Sequence, residues 1–290
     1  MDLKLPNWVR LVVLVSALMQ FGFGLTLLID PGRIAELWPW KLPPLTARLL
    51  GASTLVSVPM ALLVVWINRF AVAAIPLVMM LAYRVLQLLA GAIHHDRFAP
   101  DSLVTWNYFG GGLLMAATFA YPLFAARRGG LPPTNPGRPF AESMPWIVPG
   151  PARTGLAALG ALYLALGLAF LIAGASAKPL WFDAAGLTPL TARLFASPLT
   201  GLGLGLILVS RASDWCEIMV PAIGMVTIGI VGTLSLILDC ATFAPQSGAA
   251  WFVAATPPIL FVVGVALLWS KPGERPDKRA SGATKMRKAA

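Results

Sequence analysis

Seven stretches of this 290-residue chain carry no charged side chain: residues 11–29, 49–68, 102–126, 154–177, 194–210, 218–238 and 240–270. An eighth, residues 70–95, carries only Arg84. About 20 apolar residues wound as an α-helix cross the ~30 Å hydrocarbon layer of a bilayer, so nearly every run is long enough to span. In hydrocarbon an unpaired backbone N–H or C=O costs several kcal/mol, which leaves helices and closed barrels as the admissible folds. The runs lack the two-residue alternation of a barrel strand. The sequence therefore predicts an all-α integral membrane protein of about eight transmembrane helices. Composition agrees, since 58% hydrophobic and 12% charged residues with a mean hydropathy of +0.77 lie outside the range of soluble domains. The last run exceeds one span, so its helix is expected near 250–269 with residues 241–250 as a loop. Residues 8–29 read as a structural helix and not a cleaved signal, because no small-x-small cleavage site follows them.

The chain also repeats itself. Leu45-Thr46-Ala47-Arg48-Leu49 recurs as Leu190-Thr191-Ala192-Arg193-Leu194, a shift of 145 residues, half the chain length. In the same register Gly22 pairs with Gly167, Pro76 with Pro221, Met80 with Met225, Phe98-Ala99-Pro100 with Phe243-Ala244-Pro245, and Trp106 with Trp251. Such a series predicts two tandem four-helix repeats. Four crossings return the chain to its starting side, so the repeats are expected to be parallel about an axis normal to the membrane. The expected divisions are repeat 1 at 1–126, a Pro-, Gly- and Arg-rich linker at 127–153, repeat 2 at 154–270 and a basic, disordered tail at 271–290.

With the N-terminus in the cytoplasm, the cytoplasmic segments hold Lys4, Arg10, Arg69, Arg127, Arg128, Arg138, Arg153, Arg211 and seven basic residues beyond Ser270, which is 15 of the 22 Lys and Arg. The positive-inside rule then places both termini in the cytoplasm. This asymmetry accounts for the formal charge of +10 without nucleic-acid binding. The tail is expected to meet anionic lipid. Trp8, Trp66, Trp215, Trp251 and Trp269 lie near ends of apolar runs, as in an interfacial aromatic belt.

Few residues invite chemistry. The adjacent His94 and His95 point about 100° apart on a helix, and no other histidine exists to complete a metal or haem site, so neither metal nor cofactor is expected. Gly201, Gly203 and Gly205 lack the preceding strand of a dinucleotide fingerprint. The four-residue spacings Ser197-Gly201-Gly205 and Ala157-Ala161-Ala165 instead read as close-packing helix faces. Arg48 and Arg193 fall near helix N-termini, where a cation opposes the helix dipole, so each is expected to have a partner or to snorkel outward. Asp30 or Glu36 is the expected partner of Arg48, and Asp183 that of Arg193, in a structural clamp. Arg84 lies about 17 Å into its span, where insertion scales charge about 2.5–3.5 kcal/mol for an arginine. It is expected to face the bundle interior. Gln87, Gly91 and His95 follow on the same face, with Asn107 and Asp30 as further candidates for a small polar cavity that takes an anion; an arginine that ties helices together or satisfies helix-end carbonyls is the equal alternative. Gly229 stands where the shift would place a second such arginine.

The segment Trp38-Pro39-Trp40-Lys41-Leu42-Pro43-Pro44-Leu45-Thr46-Ala47-Arg48 resembles a W-P-W-x-L-x-P-L-T-A-R stretch of uncharacterised bacterial multi-pass membrane proteins. The resemblance implies a bacterial inner membrane and no particular activity. Each half is also similar to DoxX-like proteins in size and four-helix layout, without a shared motif. Paired buried carboxylates, a metal cluster and a nucleophile with its base are all missing from the pattern, which speaks against an enzyme. The expected function is a non-enzymatic accessory subunit, with a membrane-protein partner, or a binder of a lipophilic small molecule. A small-solute or anion transporter or channel with its site near Arg84 is the alternative.

Overall fold

The computed structural model describes residues 3–35, 40, 42–133, 144–146, 148–182 and 187–270. Eight helices in it are long and apolar enough to cross a membrane: α1 (Asn7–Ile29), α2 (Pro44–Ile67), α3 (Phe70–Ile93), α4 (Leu103–Arg127), α5 (Gly150–Ala173), α6 (Pro189–Arg211), α7 (Trp215–Leu238) and α8 (Gly248–Trp269). Their large outward side chains are apolar, among them Leu11, Leu18, Ile172 and Val262, each more than 60% exposed, so the natural solvent of this surface is lipid. Trp8, Trp66, Trp251 and Trp269 are exposed near helix ends. The expected helix at 250–269 begins slightly earlier, at Gly248, because Ser247 caps it by accepting from Ala250 N at 3.0 Å.

Local chemistry fixes the other ends. Pro44 and Pro189 open α2 and α6 at positions where a missing N–H costs nothing, and Thr188 Oγ1 accepts from Thr191 N at 3.2 Å. Asp214 caps α7 through Cys216 N at 3.0 Å. Asn68, at φ 50°, turns the chain sharply from α2 into α3, and its Oδ1 accepts from Leu5 N at 2.9 Å. Helix α2 is interrupted at Val56, between Pro44–Leu55 and Ser57–Ile67. Pro59 lacks the N–H that the Leu55 carbonyl would otherwise receive.

Consecutive helices form four hairpins: α1 with α2, α3 with α4, α5 with α6 and α7 with α8. The hairpins then cross between halves. Helix α3 packs along α6, α7 packs along α2, and α3 meets α7 in the middle. Helix α1 also touches α4, and α5 reaches α8 through Tyr163 and Phe252, whose ring centroids are 5.6 Å apart. Two five-helix rings result, α1-α2-α7-α3-α4 and α5-α6-α3-α7-α8, which share the α3–α7 edge.

The spacing of small residues is only half right as a guide to these contacts. Ser197, Gly201 and Gly205 are buried in α6, with a Cβ on Gly201 falling 3.0 Å from the Met79 carbonyl. In α5, however, Ala161 and Ala165 are exposed, and the packed face is Gly160, Tyr163, Gly167 and Phe170. A Cβ on Gly203 would lie 2.7 Å from the Gly160 carbonyl, so glycine at both positions is what lets α5 and α6 touch backbone to backbone.

The connection between the halves is anchored at both ends on the face that carries the termini. Lys4 N donates to Pro132 O at 2.9 Å, and Trp146 N to Ser213 O at 2.9 Å. Trp146 is 3% exposed, its Nε1 donates to Ser270 Oγ at 2.9 Å, and the Arg153 guanidinium lies 5.4 Å from its ring centroid. Residues 134–143 and 271–290, which include most of the expected linker and the whole tail, lie outside the described residues.

Candidate functional site

Between the hairpins lies a cavity of about 170 Å³ whose wall is contributed by every helix except α5. Arg84 is on that wall. Its Nη1 donates to Gln87 Oε1 at 2.7 Å, one helical turn on, and its guanidinium carbon stands 5.4 Å from the Tyr83 ring centroid. No carboxylate among the described residues is within ion-pair distance of it. Gln87 is itself held from α4: Tyr108 Oη donates to the Gln87 carbonyl at 2.5 Å. Tyr108 reaches that point because residues Asn107–Gly111 form a π turn within α4, and because a Cβ on Gly91 would come within 2.4 Å of the Tyr108 ring. Gly91 therefore admits Tyr108 and is not part of a polar stripe along α3.

The other expected members of this site lie elsewhere. Asp30 is exposed and accepts from Arg33 N at 3.2 Å, ordering the turn after α1. His95 sits exposed in a 3-10 turn, His95–Arg97, beyond the end of α3. Asn107 is exposed at the π turn. The structure thus joins Arg84 with Gln87 and does not bring Asp30, His95 or Asn107 to them. It adds instead Gln20 of α1 and Ser53 and Ser57 of α2, all on the cavity wall. Ser53 and Ser57 are spaced by four within an apolar run, and Gln20 is the one side-chain amide in residues 11–29, signals that the sequence did contain.

A second set of polar contacts lies at the opposite face from the termini. Arg48 pairs with Asp239, at the C-terminus of α7, and its Nε donates to Leu28 O at 2.9 Å. Asp30, the sequence-based partner, is occupied with Arg33, while Glu36 and Asp183 fall outside the described residues. Arg193 Nη1 lies 2.5 Å from His94 Nε2, and its Nε donates to Leu171 O at 3.2 Å. Each arginine, awkward at its own helix N-terminus, thus caps a terminal carbonyl of one other helix and meets the side chain that ends a second. The 145-residue shift that takes Arg48 to Arg193 takes His94 to Asp239, so each arginine of one half holds the corresponding position of the other.

The Arg193–His94 clamp responds to acid. A guanidinium only donates, so His94 Nε2 accepts and the ring proton resides on Nδ1. Burial first, then the Arg193 charge, push the His94 pKa below its usual 6.5; Asp96 opposes this and Arg97 adds to it. A folded-state pKa below the unfolded one means that the unfolded chain binds the extra proton more readily. Stability from this contact is therefore complete above about pH 6.5 and is lost as pH falls through the lowered folded value. Thermal melts between pH 7.5 and 5 are expected to show a decline that His94→Asp removes, since an aspartate there reproduces the Arg48–Asp239 pair. Identical pH profiles for the two proteins would count against this reading.

Cys216 is buried and Cys240 exposed, and both thiols are free. The described residues contain no group of three His, Cys, Asp or Glu side chains able to hold a metal. Eight apolar spans and a lipid-compatible surface define a multi-pass integral membrane protein. No protein-family model, curated protein or solved structure matches the chain.

Proposed function

We propose that the protein binds a lipophilic small molecule with an anionic head in the cavity beside Arg84, and that it acts as a binder or accessory subunit with no catalytic step of its own. One observation carries this reading. Arg84 is a charged group within a span, on the wall of an apolar cavity, with one neutral side-chain hydrogen bond and no counter-ion among the described residues. An arginine held in a span with no counter-ion among the described residues is best explained by an anion that arrives from outside.

The test uses protein in lipid nanodiscs and octanoate against octan-1-ol as probes. Octanoate is expected to raise the melting temperature saturably and octanol not. Arg84→Gln should weaken octanoate by about 10- to 100-fold, the worth of charge-assisted hydrogen bonds, while its own melting temperature stays near wild type. Equal responses to both probes, or an Arg84→Gln protein that still prefers octanoate, would remove the proposal.

The duplication belongs to the same reading, supported by the crossed clamps and the crossed hairpins, with repeats at 1–126 and 154–270. So do the cytoplasmic termini, supported by the basic-residue asymmetry, and the bacterial inner membrane, supported by the W-P-W resemblance. A second function, transport, is favoured by the helix hydrogen bond that Pro59 removes from α2 beside the cavity, since irregular helices at mid-membrane accompany substrate sites in transporters. The rate of labelled octanoate uptake into proteoliposomes, compared with protein-free liposomes at alkaline pH where passive crossing of the neutral acid is slow, separates the two: a transporter raises the rate of lumen filling and a binder adds only its own stoichiometry.

A further inference from the structure

We infer that the cavity is a head-and-tail site, in which the α1-α2-α7-α3-α4 ring holds the polar head of a medium-chain carboxylate and the α5-α6-α3-α7-α8 ring holds its hydrocarbon. The inference rests on the reading above and adds the residues and the ligand class that this reading leaves open.

The head chamber follows from proton bookkeeping. Ser57 Oγ lies 2.6 Å from the Thr54 carbonyl and 2.8 Å from the Gln20 amide, and Gln20 in turn lies 2.7 Å from Ser16 Oγ. Two oxygens at 2.6 Å require a proton between them, and only Ser57 can supply one to a carbonyl. Ser57 Oγ also donates to Gln20 Oε1, and Gln20 Nε2 donates one of its two protons to Ser16 Oγ. One Gln20 N–H remains unused, on a side chain that lines the cavity. Arg84, with donors beyond the one given to Gln87, lines it too. Both polar groups thus offer protons, and a head that answers both brings acceptors and negative charge, as a carboxylate does.

The tail chamber follows from the register of the chain. The 145-residue shift takes Ser53 to Pro198 and Ser57 to Leu202, both on the wall, and takes Gln20 and Arg84 to Ala165 and Gly229, which are not on it. No polar wall position of the first ring thus has a polar counterpart in the second. The wall there is formed by Leu199, Leu202, Ile228 and Leu260, and its hydroxyl, Thr256 Oγ1, already donates to Phe252 O at 3.3 Å. The cavity, head and tail together, is about 170 Å³, slightly larger than the ~150 Å³ apolar cavity that accepts benzene, which sets the whole ligand at roughly six to eight carbons.

The experiment measures dissociation constants for straight-chain carboxylates of four to twelve carbons in nanodiscs, for wild type, Gln20→Met, Leu202→Trp and Arg84→Gln. Wild type should bind best at six to eight carbons. Gln20→Met should weaken every length by a similar factor of about five to ten, and Leu202→Trp should weaken octanoate at least tenfold while leaving butyrate nearly unchanged. Leu202→Phe, a smaller intrusion, should give an intermediate shift and guards against a tryptophan variant that fails to fold. Binding that needs Arg84 but ignores Gln20→Met and shows no length-dependent response to Leu202→Trp or Leu202→Phe would overturn the head-and-tail site and leave the Arg84 reading standing. Binding indifferent to Arg84→Gln would overturn both.

Discussion

Replacing Asp239 by alanine is expected to lower the melting temperature by on the order of 10 °C. Arg48 and Asp239 are joined across the two halves, with only 17% and 12% of their side chains exposed. Removing the carboxylate strands a guanidinium that water reaches poorly. Breaking a buried pair costs about 3–5 kcal/mol, and the residual exposure places this case near 3 kcal/mol. The Leu28 carbonyl still accepts from Arg48 Nε, so the arginine is not wholly orphaned. The double variant Arg48→Met with Asp239→Leu removes both charges and should recover most of the loss, because a well-packed apolar pair is often as stable as a buried ion pair. Circular-dichroism melts of the single and double variants in one detergent decide it. A single variant as stable as wild type would show that the clamp holds nothing together.

Trp146→Ala is expected to cost about 3–5 kcal/mol, the usual penalty for emptying a large aromatic site. Trp146 is buried against the face that carries the termini and ties three segments at once. It receives Arg153 through its carbonyl at 3.3 Å, gives its indole N–H to Ser270 and joins its backbone to Ser213. Trp146→Phe keeps most of the apolar volume and loses the indole hydrogen bond, so it should cost about 1 kcal/mol. Limited proteolysis and melting temperature together report the result. Equal effects from the two substitutions would mean that the hydrogen bond, and not the packing, is what anchors the segment.

The number and approximate limits of the helices were legible in the sequence because the hydrocarbon layer demands a fixed length of uncharged chain, and charged residues mark where each length stops. The interior position of Arg84 was legible for the same reason. Its surroundings were less so. His95 shares the Arg84 face only if helical periodicity runs past the end of α3, whereas the chain leaves the helix at His94 and enters a 3-10 turn; Asp30 and Asn107, candidates by their place near the ends of other helices, are exposed there. The partner of Arg48 is 191 residues away, and nothing local to Arg48 distinguishes Asp239 from the nearer Asp30. In α5 the alanines at 157, 161 and 165 have the spacing of a contact face, but in a helix apolar on every side small residues at that spacing do not identify which face is packed. The contact lies where glycine removes a Cβ that would strike another backbone, at Gly160 and Gly203.

The crossing of the hairpins sets an order of assembly during synthesis. Helix α2 finishes at Ile67, and its partner α7 does not begin until Trp215. At about 5–20 residues per second, the α1–α2 hairpin waits on the order of ten seconds in the bilayer before α7 exists. Throughout that interval Arg48 has no Asp239, and the side of α2 that will face α7 is turned to lipid or to whatever protein occupies the insertion site. The nascent first half is therefore an unfinished surface whose missing complement is encoded downstream, and two nascent copies that meet early could each supply the other's missing helix.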